Sequence, residues 1–416
     1  MILLSIVFHE KNQMSSAHHR RHFGKTSLHH ILATSISSSA LIANVKSHAI
    51  EPSIYRVAIV GHTGRGDYGH GLDKMWQKIG NTKTVAISDS AGMEHAKKRM
   101  PGVEAFGDYR EMLRTVKPEI VSIAPRHVDQ HHAMCMEAIQ NQVKGIYIEK
   151  PFCQTPSQAD EIVTACHQNG VRLAVAHRNR YHPVLNVVKD CIEAGEIGKP
   201  LEIRARGKED QRGGALDLWV LGSHVLNVAC FLAGDPISCQ GQLLQDKRLC
   251  EQRDVREGDE GVGLIAGDEL HARYEMSSGI PLFFDSIKNH GVRSAGFGLQ
   301  VVGQEGVIDL RMDREPMAYI RKGNPFQPTT TPSSWQPMSS AGIGQPETIQ
   351  GLGSYISSHQ AAGDNLVQAI QLGRQPMCDA SQGRQTVEMI CGVFASHRQG
   401  GASVQFPLEN RENPLS

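Results

Sequence analysis

No cysteine pattern in this chain signals a disulfide framework or a structural metal. Its nine cysteines are scattered, with no Cys-x-x-Cys pair and no zinc spacing, and read as buried small hydrophobes. Neither sign of charge prevails: 43 basic residues meet 43 acidic ones, which argues against a nucleic-acid or membrane-surface partner. Beyond residue 50 no run reads as long and apolar enough to span a bilayer, so no membrane anchor is expected. No internal repeat is seen. What remains, at 416 residues, is a chain with room for two separate cores.

Residues 1–49 differ in texture from the rest. Arg20-Arg21-His22-Phe23-Gly24-Lys25 resembles a twin-arginine export signal, with His19 where Ser or Thr is usual. A mildly apolar Ser/Ala-rich run from Ile31 to Ala43 follows, then small residues at Ser47-His48-Ala49. Basic, apolar and cleavable regions in that order predict a targeting segment and a periplasmic protein. A disordered extension on a cytoplasmic protein is the competing reading, and Met14 is an alternative start.

The richest local signal is Tyr55-Arg56-Val57-Ala58-Ile59-Val60 running into Gly61-His62-Thr63-Gly64-Arg65-Gly66. A strand, a glycine-rich turn and a helix in succession bring backbone N–H groups to a pyrophosphate. Thr63 stands where the dinucleotide fingerprint has its second glycine. Tyr68, Leu72, Met75, Trp76 and Ile79 have the spacing of an amphipathic helix after the turn. The next strand, Thr84 to Ser88, ends at Asp89, whose carboxylate can accept from both ribose hydroxyls and would repel a 2′-phosphate. A bound NAD is expected, with NADP disfavoured.

Strands and helices alternate from 55 to 176, which predicts a doubly wound parallel sheet over residues 50–177. Strands are expected at 120–124, 146–148 and 172–176, with a helix from Val128 to Gln140. Thr155, Pro156 and Gln158 announce a capped helix that Gly170 stops. Residues 178–416 predict a second domain: a helix over 183–194, then short consecutive strands at 201–206, 240–244, 270–275, 282–287, 298–302 and 307–310. Such strands build a largely antiparallel, open sheet. Residues 323–353 read as irregular, covering a site or disordered, and helices are expected at 364–371 and 380–398.

Chemistry concentrates at strand ends. Lys150 in Glu149-Lys150-Pro151 can donate to a substrate hydroxyl and stabilise alkoxide charge, although a plain surface turn has the same sequence. His224 lies on an apolar helical stretch with Asn227 and, two turns earlier, Asp217; it is a candidate base or a core histidine. His177 to Pro183 is dense in donors suited to hydroxylated or anionic ligands, or else forms a hinge. The His131-His132 pair makes a poor metal site, because helix neighbours point apart.

Taken in order, the Gly61 turn, Asp89, Ala124-Pro125, Glu149-Lys150-Pro151, Asn179-Arg180 and Gly222-Ser223-His224 resemble the glucose–fructose oxidoreductase / inositol dehydrogenase (Gfo/Idh/MocA) family over roughly residues 55–408. The resemblance implies a Rossmann domain plus an α/β domain whose open sheet serves in homo-oligomers. It implies NAD(P)-linked hydride transfer on a sugar, sugar acid or cyclitol. By it Gly61, Thr63, Gly64, Arg65, Gly66, Asp89, Ala124, Pro125, Glu149 and Lys150 hold the cofactor. Asn179, Arg180, Tyr181 and Asn227 meet substrate, Lys150 polarises the reacting hydroxyl and His224 is the acid/base. Family members often carry an Asp four residues before the His; this chain has Val220 there, with Asp217 as a candidate substitute. Two other functions fit the same fold: an exported glycosidase that oxidises a sugar carbon transiently on retained NAD, and a non-enzymatic nucleotide-binding scaffold.

Overall fold

The computed structural model describes residues 54–291 and 297–416; the expected targeting segment at 1–49 lies outside the described residues. In β1 (Tyr55–Gly61) Val57 to Val60 are all buried, and β1 joins β2 (Thr82–Asp89), β3 (Glu104–Phe106), β4 (Ile120–Ile123), β5 (Gly145–Ile148) and β6 (Arg172–Val175) in one parallel sheet. Every residue of β4 and β5 is buried, the pattern of strands covered on both faces. The order β3-β2-β1-β4-β5-β6 reverses direction at β1, which opens a crevice at the strands' carboxyl ends between β1 and β4.

After β1 the structure departs from expectation. No α-helix follows the glycine turn; a 3₁₀ turn at Met75–Lys78 is the only helical piece there. Gly66, Asp67, Gly69 and Gly71 all take positive φ, which a right-handed helix cannot accommodate. A Cβ on Gly66 would lie 2.3 Å from the Arg126 nitrogen, and one on Gly69 would lie 2.5 Å from the Ala124 carbonyl oxygen. The segment therefore lies flat against the end of β4, and only glycine permits that approach. Tyr68, Leu72, Met75, Trp76 and Ile79 are nevertheless buried, so the apolar spacing marked the core but not the conformation.

Helices α1 (Met93–Arg99), α2 (Tyr109–Val116), α3 (His131–Gln140) and α4 (Pro156–Asn169) complete the Rossmann layers, with Val128–Gln130 a 3₁₀ turn rather than the start of α3. Thr155 caps α4 by accepting from the Gln158 nitrogen at 3.2 Å, and the Gln158 side chain reaches back to the Gln154 nitrogen. Gly170 ends the helix in the left-handed region.

Beyond α5 (Val184–Glu193) the chain lays down β7 (Pro200–Arg206) and then a helix, α6 (Ala215–Ala233). Contrary to expectation, α6 is long and apolar enough to cross a membrane; here it is mostly buried inside the fold. Strands β8 (Pro236–Gln245), β9 (Arg248–Leu249), β10 (Arg256–Glu257), β11 (Leu264–Ile265), β12 (Glu269–Met276), β13 (Leu282–Ile287), β14 (Gly298–Gly303), β15 (Gly306–Arg311), β16 (Ala318–Lys322), β17 (Gln336–Ser339) and β18 (Gly342–Ile343) follow. All but β10 and β11, which pair with each other, join an eleven-stranded sheet, antiparallel except for β7 beside β13. Gly303 to Gly306 is the expected hairpin between β14 and β15. Within 323–353, β17 and β18 add a sheet edge where only irregular chain was expected.

Helices α7 (Leu352–Ser357), α8 (Gln360–Leu372) and α9 (Ala380–Arg398) precede the last strand, β19 (Val404–Gln405). The α8 region packs back on the first sheet: Ile370 abuts Gly145, and the Tyr147 hydroxyl pairs with His359 Nδ1 at 2.8 Å. All nine cysteines are unpaired and, apart from Cys230, buried.

Candidate active site

Lys150 leaves the carboxyl end of β5 almost wholly buried, and its ammonium donates to the Val220 carbonyl at 2.8 Å. That carbonyl is available because α6 is interrupted by a π-helical stretch, Leu218–Gly222, where the ordinary backbone pairing shifts. His224 lies in the first turn of the α-helical part immediately beyond, which begins at Ser223. It is buried, its Nδ1 lies 3.3 Å from His177 Nδ1, and the two rings meet edge-on at 5.1 Å. His177 extends from β6, the neighbour of β5, so three strand and helix ends bring Lys150, His177 and His224 together.

Electrostatics follow from that crowding. Burial lowers the Lys150 pKa, with Glu149, Glu260 and Asp313 pulling it back. Burial and the Lys150 charge push His224 well below the ordinary imidazole range. The same two causes bring His177 to about 3. The site thus combines one ammonium with two neutral imidazoles, a set able to polarise a hydroxyl and accept its proton.

Glu149 is fully buried and accepts from the His70 nitrogen at 3.1 Å, from the His70 imidazole and from the Lys150 nitrogen at 2.7 Å. Burial alone would raise its pKa; the His70 hydrogen bond and charge, then the Lys150 charge, outweigh it and keep it ionised. His131, which looked idle in sequence, bridges two strand ends: its ring nitrogens lie 2.7 Å from the Pro125 carbonyl and 2.9 Å from that of Pro151.

The glycine-lined mouth of the crevice fits a dinucleotide in part. Gly64, at φ +83°, faces open space, and Arg65 is half-exposed beside Asp129 at 2.7 Å. Asp89, expected to face a ribose, accepts from Thr63 N (2.9 Å), Thr63 Oγ1 (2.6 Å), Tyr68 Oη (2.8 Å) and Ala91 N (2.9 Å), so it ties the turn to β2. Burial would raise its pKa, but the Thr63, Ala91 and Tyr68 hydrogen bonds prevail and lower it. The missing helix also removes the helix N-terminus whose backbone N–H groups were expected at the pyrophosphate position.

Residues 55–177 match the family described as an oxidoreductase family with an NAD-binding Rossmann fold, and residues 189–406 match its C-terminal α/β domain. The chain belongs to the Gfo/Idh/MocA family. A D-apiose dehydrogenase from Paraburkholderia graminis is 30% identical over 345 residues, 78% of this chain and 84% of that protein. An inositol 2-dehydrogenase from Salmonella typhimurium is 27% identical over 139 residues, so the match spans only 41% of that relative. A levoglucosan dehydrogenase solved with NADH and L-sorbose has a TM-score of 0.68 at 18% identity, covering 85% of this chain and 99% of that one. At such identity the likeness speaks for the fold.

Within this Gfo/Idh/MocA frame several expected site residues make contacts inside the protein. Asp217 accepts from Ser286 Oγ (2.6 Å), Glu209 N (2.9 Å) and Lys208 N (3.2 Å), fastening α6 to the chain after β7 and to β13. Asn179 exchanges two 3.1 Å hydrogen bonds with Asp313. Arg180 lies 3.7 Å over the Phe231 ring and lines a separate pocket with Asp235 and Gln385. Asn227 approaches Cys378 and Gln382 at 3.5 Å, and Tyr181 is buried near the same cysteine. These residues brace the site's walls. Sequence reasoning reached His177 only as the first residue of the donor-dense stretch 177–183 after a strand, and it missed His70, which follows the glycine turn.

A cavity of about 710 Å³ is lined by Arg212, Val220, Arg256, Glu260 and Lys288 among others, and Val220, whose carbonyl holds the Lys150 ammonium, is its link to the reacting groups. Its outer wall, between β10 and β11, reaches the Rossmann domain, where Gln154 donates to the Gly261 carbonyl at 2.9 Å. Glu260 holds a positive φ of 57° there, a strained conformation of the sort found at ligand-binding sites.

Proposed function

We propose that this protein is an NAD-dependent dehydrogenase acting on a CH–OH carbon of a sugar, sugar acid or cyclitol. One observation carries the proposal: a buried ammonium and a neutral imidazole are joined through a single helix, because Lys150 binds the carbonyl four residues before His224. The apiose and inositol dehydrogenase relatives support the substrate class. The 710 Å³ cavity, with cationic and anionic side chains on its walls, suits a polyhydroxylated ligand.

Lys150 orients the hydroxyl and lowers the cost of its developing alkoxide, while His224 takes the proton. Bound nicotinamide supplies the hydride acceptor. Arg65 and the chain at Gly64 and Gly66 hold the phosphates, and the buried charge of Asp89 at the end of β2 favours NAD over NADP. The Arg20-Arg21 segment exports the folded, NAD-loaded protein to the periplasm, and homo-oligomers form through the second-domain sheet. A panel of sugars and cyclitols assayed for NADH absorbance tests the activity; stoichiometric NADH supports it, and free sugar from aryl glycosides without NADH would replace it with the glycosidase. Activity assayed separately in periplasmic and cytoplasmic fractions tests the export.

A further inference from the structure

Two imidazoles stand where one base would suffice. His177 is 1% exposed and His224 5%, so water has little access to the contact between their Nδ1 atoms. At 3.3 Å, Nδ1 to Nδ1, one ring must donate and the other accept. His177 Nε2 has no other partner among the described residues, so its link to His224 is the ring's one hydrogen bond. Val220 brings no side-chain carboxylate to this helix position, and Asp217 is bonded to Ser286 and the backbone after β7.

We infer that His177 is the positioning residue of the acid/base step, sharing one proton with His224 through their Nδ1 atoms and thereby setting whether His224 Nε2 accepts or donates. The inference rests on the dehydrogenase reading above. In the oxidative direction His224 holds its proton on Nδ1 and donates it to His177 Nδ1, leaving Nε2 free. The substrate O–H proton moves to His224 Nε2 as the C–H bond breaks, its electron pair leaving as hydride to nicotinamide, and the C=O bond forms. The Nδ1–H of the resulting imidazolium stays hydrogen-bonded to His177 Nδ1, which remains neutral because burial and the Lys150 charge disfavour its protonation, and the reverse sequence serves reduction. Lys150, Arg178, His70 and His177 act electrostatically on His224, and Lys150 and Glu149 act on His177. Phe297 closes another side of the His224 ring.

The test pairs His177→Phe, which keeps an aromatic filler without a nitrogen, with His177→Asn, which keeps a polar group near the Nδ1 position. On the NAD-loaded enzyme His177→Phe is expected to lower kcat by about tenfold to a hundredfold, part of the roughly 10²–10⁴ a positioned base supplies, with KM nearly constant. The acid limb of kcat/KM should move to lower pH, because His224 loses the acceptor that stabilises its protonated form. His177→Asn should recover most of both. A packing role predicts the opposite ranking, Phe at or above Asn, and that result overturns the inference. ¹⁵N-histidine NMR of the NAD-loaded wild type and His177→Phe provides a readout independent of turnover. A changed His224 nitrogen shift pattern supports the shared proton and an unchanged one sinks it. Wild type inert on every sugar but showing the coupled shifts would refute the dehydrogenase reading while leaving the imidazole pair standing.

Discussion

The Lys150 ammonium is held by the backbone carbonyl of Val220, not by a carboxylate side chain, and a π-helical stretch makes that carbonyl available. Gly222 closes the stretch, and a Cβ there would meet the Phe284 ring at 2.8 Å and Leu218 at 3.2 Å. Gly222→Ala would gain up to about 1 kcal/mol of helix propensity. Overpacking at about 1–3 kcal/mol is the larger effect. The variant should melt lower and lose kcat, measured by thermal unfolding and NADH production side by side.

Asp217 separates structure from chemistry. Asp217→Asn loses full acceptance from Ser286, Glu209 and Lys208 in a buried place, a loss of about 1–3 kcal/mol. Urea unfolding should register that loss while kcat of the folded fraction stays within about threefold, well short of the 10² or more expected for a catalytic acid/base.

Arg65 offers the converse case. Its ion pair with Asp129 is half-exposed, and such pairs contribute about 0–1 kcal/mol to stability. Arg65→Ala should leave the melting curve almost unmoved yet weaken NAD binding about tenfold or more, the effect of losing one charged phosphate contact worth about 1.5–3 kcal/mol. Isothermal titration with NAD measures it.

Acid stability follows from the buried imidazoles. His177 is brought to about 3 and His359 to about 4, chiefly by burial, against 6.5 for a free histidine. Between about 6.5 and those values the unfolded chain binds protons that the folded one refuses. Stability conferred by these neutral rings is therefore whole above 6.5 and falls as pH drops toward 3–4. Urea midpoints at pH 7, 6, 5 and 4 should decline steadily, and more gently in His177→Phe.

The parallel and the mostly antiparallel sheet were legible because alternation and apolar runs are local signals, and strand-end placement drew notice to Lys150. The segment after β1 misled because Tyr68, Leu72, Met75, Trp76 and Ile79 keep a helical spacing while Gly66, Gly69 and Gly71 take positive φ to press on β4. Asp89 and Asp217 drew notice as ligand-facing carboxylates, whereas Tyr68 and Ser286, distant in sequence, donate to them inside the fold. The His177–His224 contact crosses 47 residues, a pairing that no periodicity encodes.

The central claim, that Lys150 and His224 carry out NAD-linked oxidation of a polyol, is tested most directly by Lys150→Met. With a substrate found in the sugar and cyclitol panel, NADH formation should fall by at least about 10², the lower bound for a positioned catalytic group, while NAD still binds. NADH formation by Lys150→Met at the wild-type rate would contradict the account.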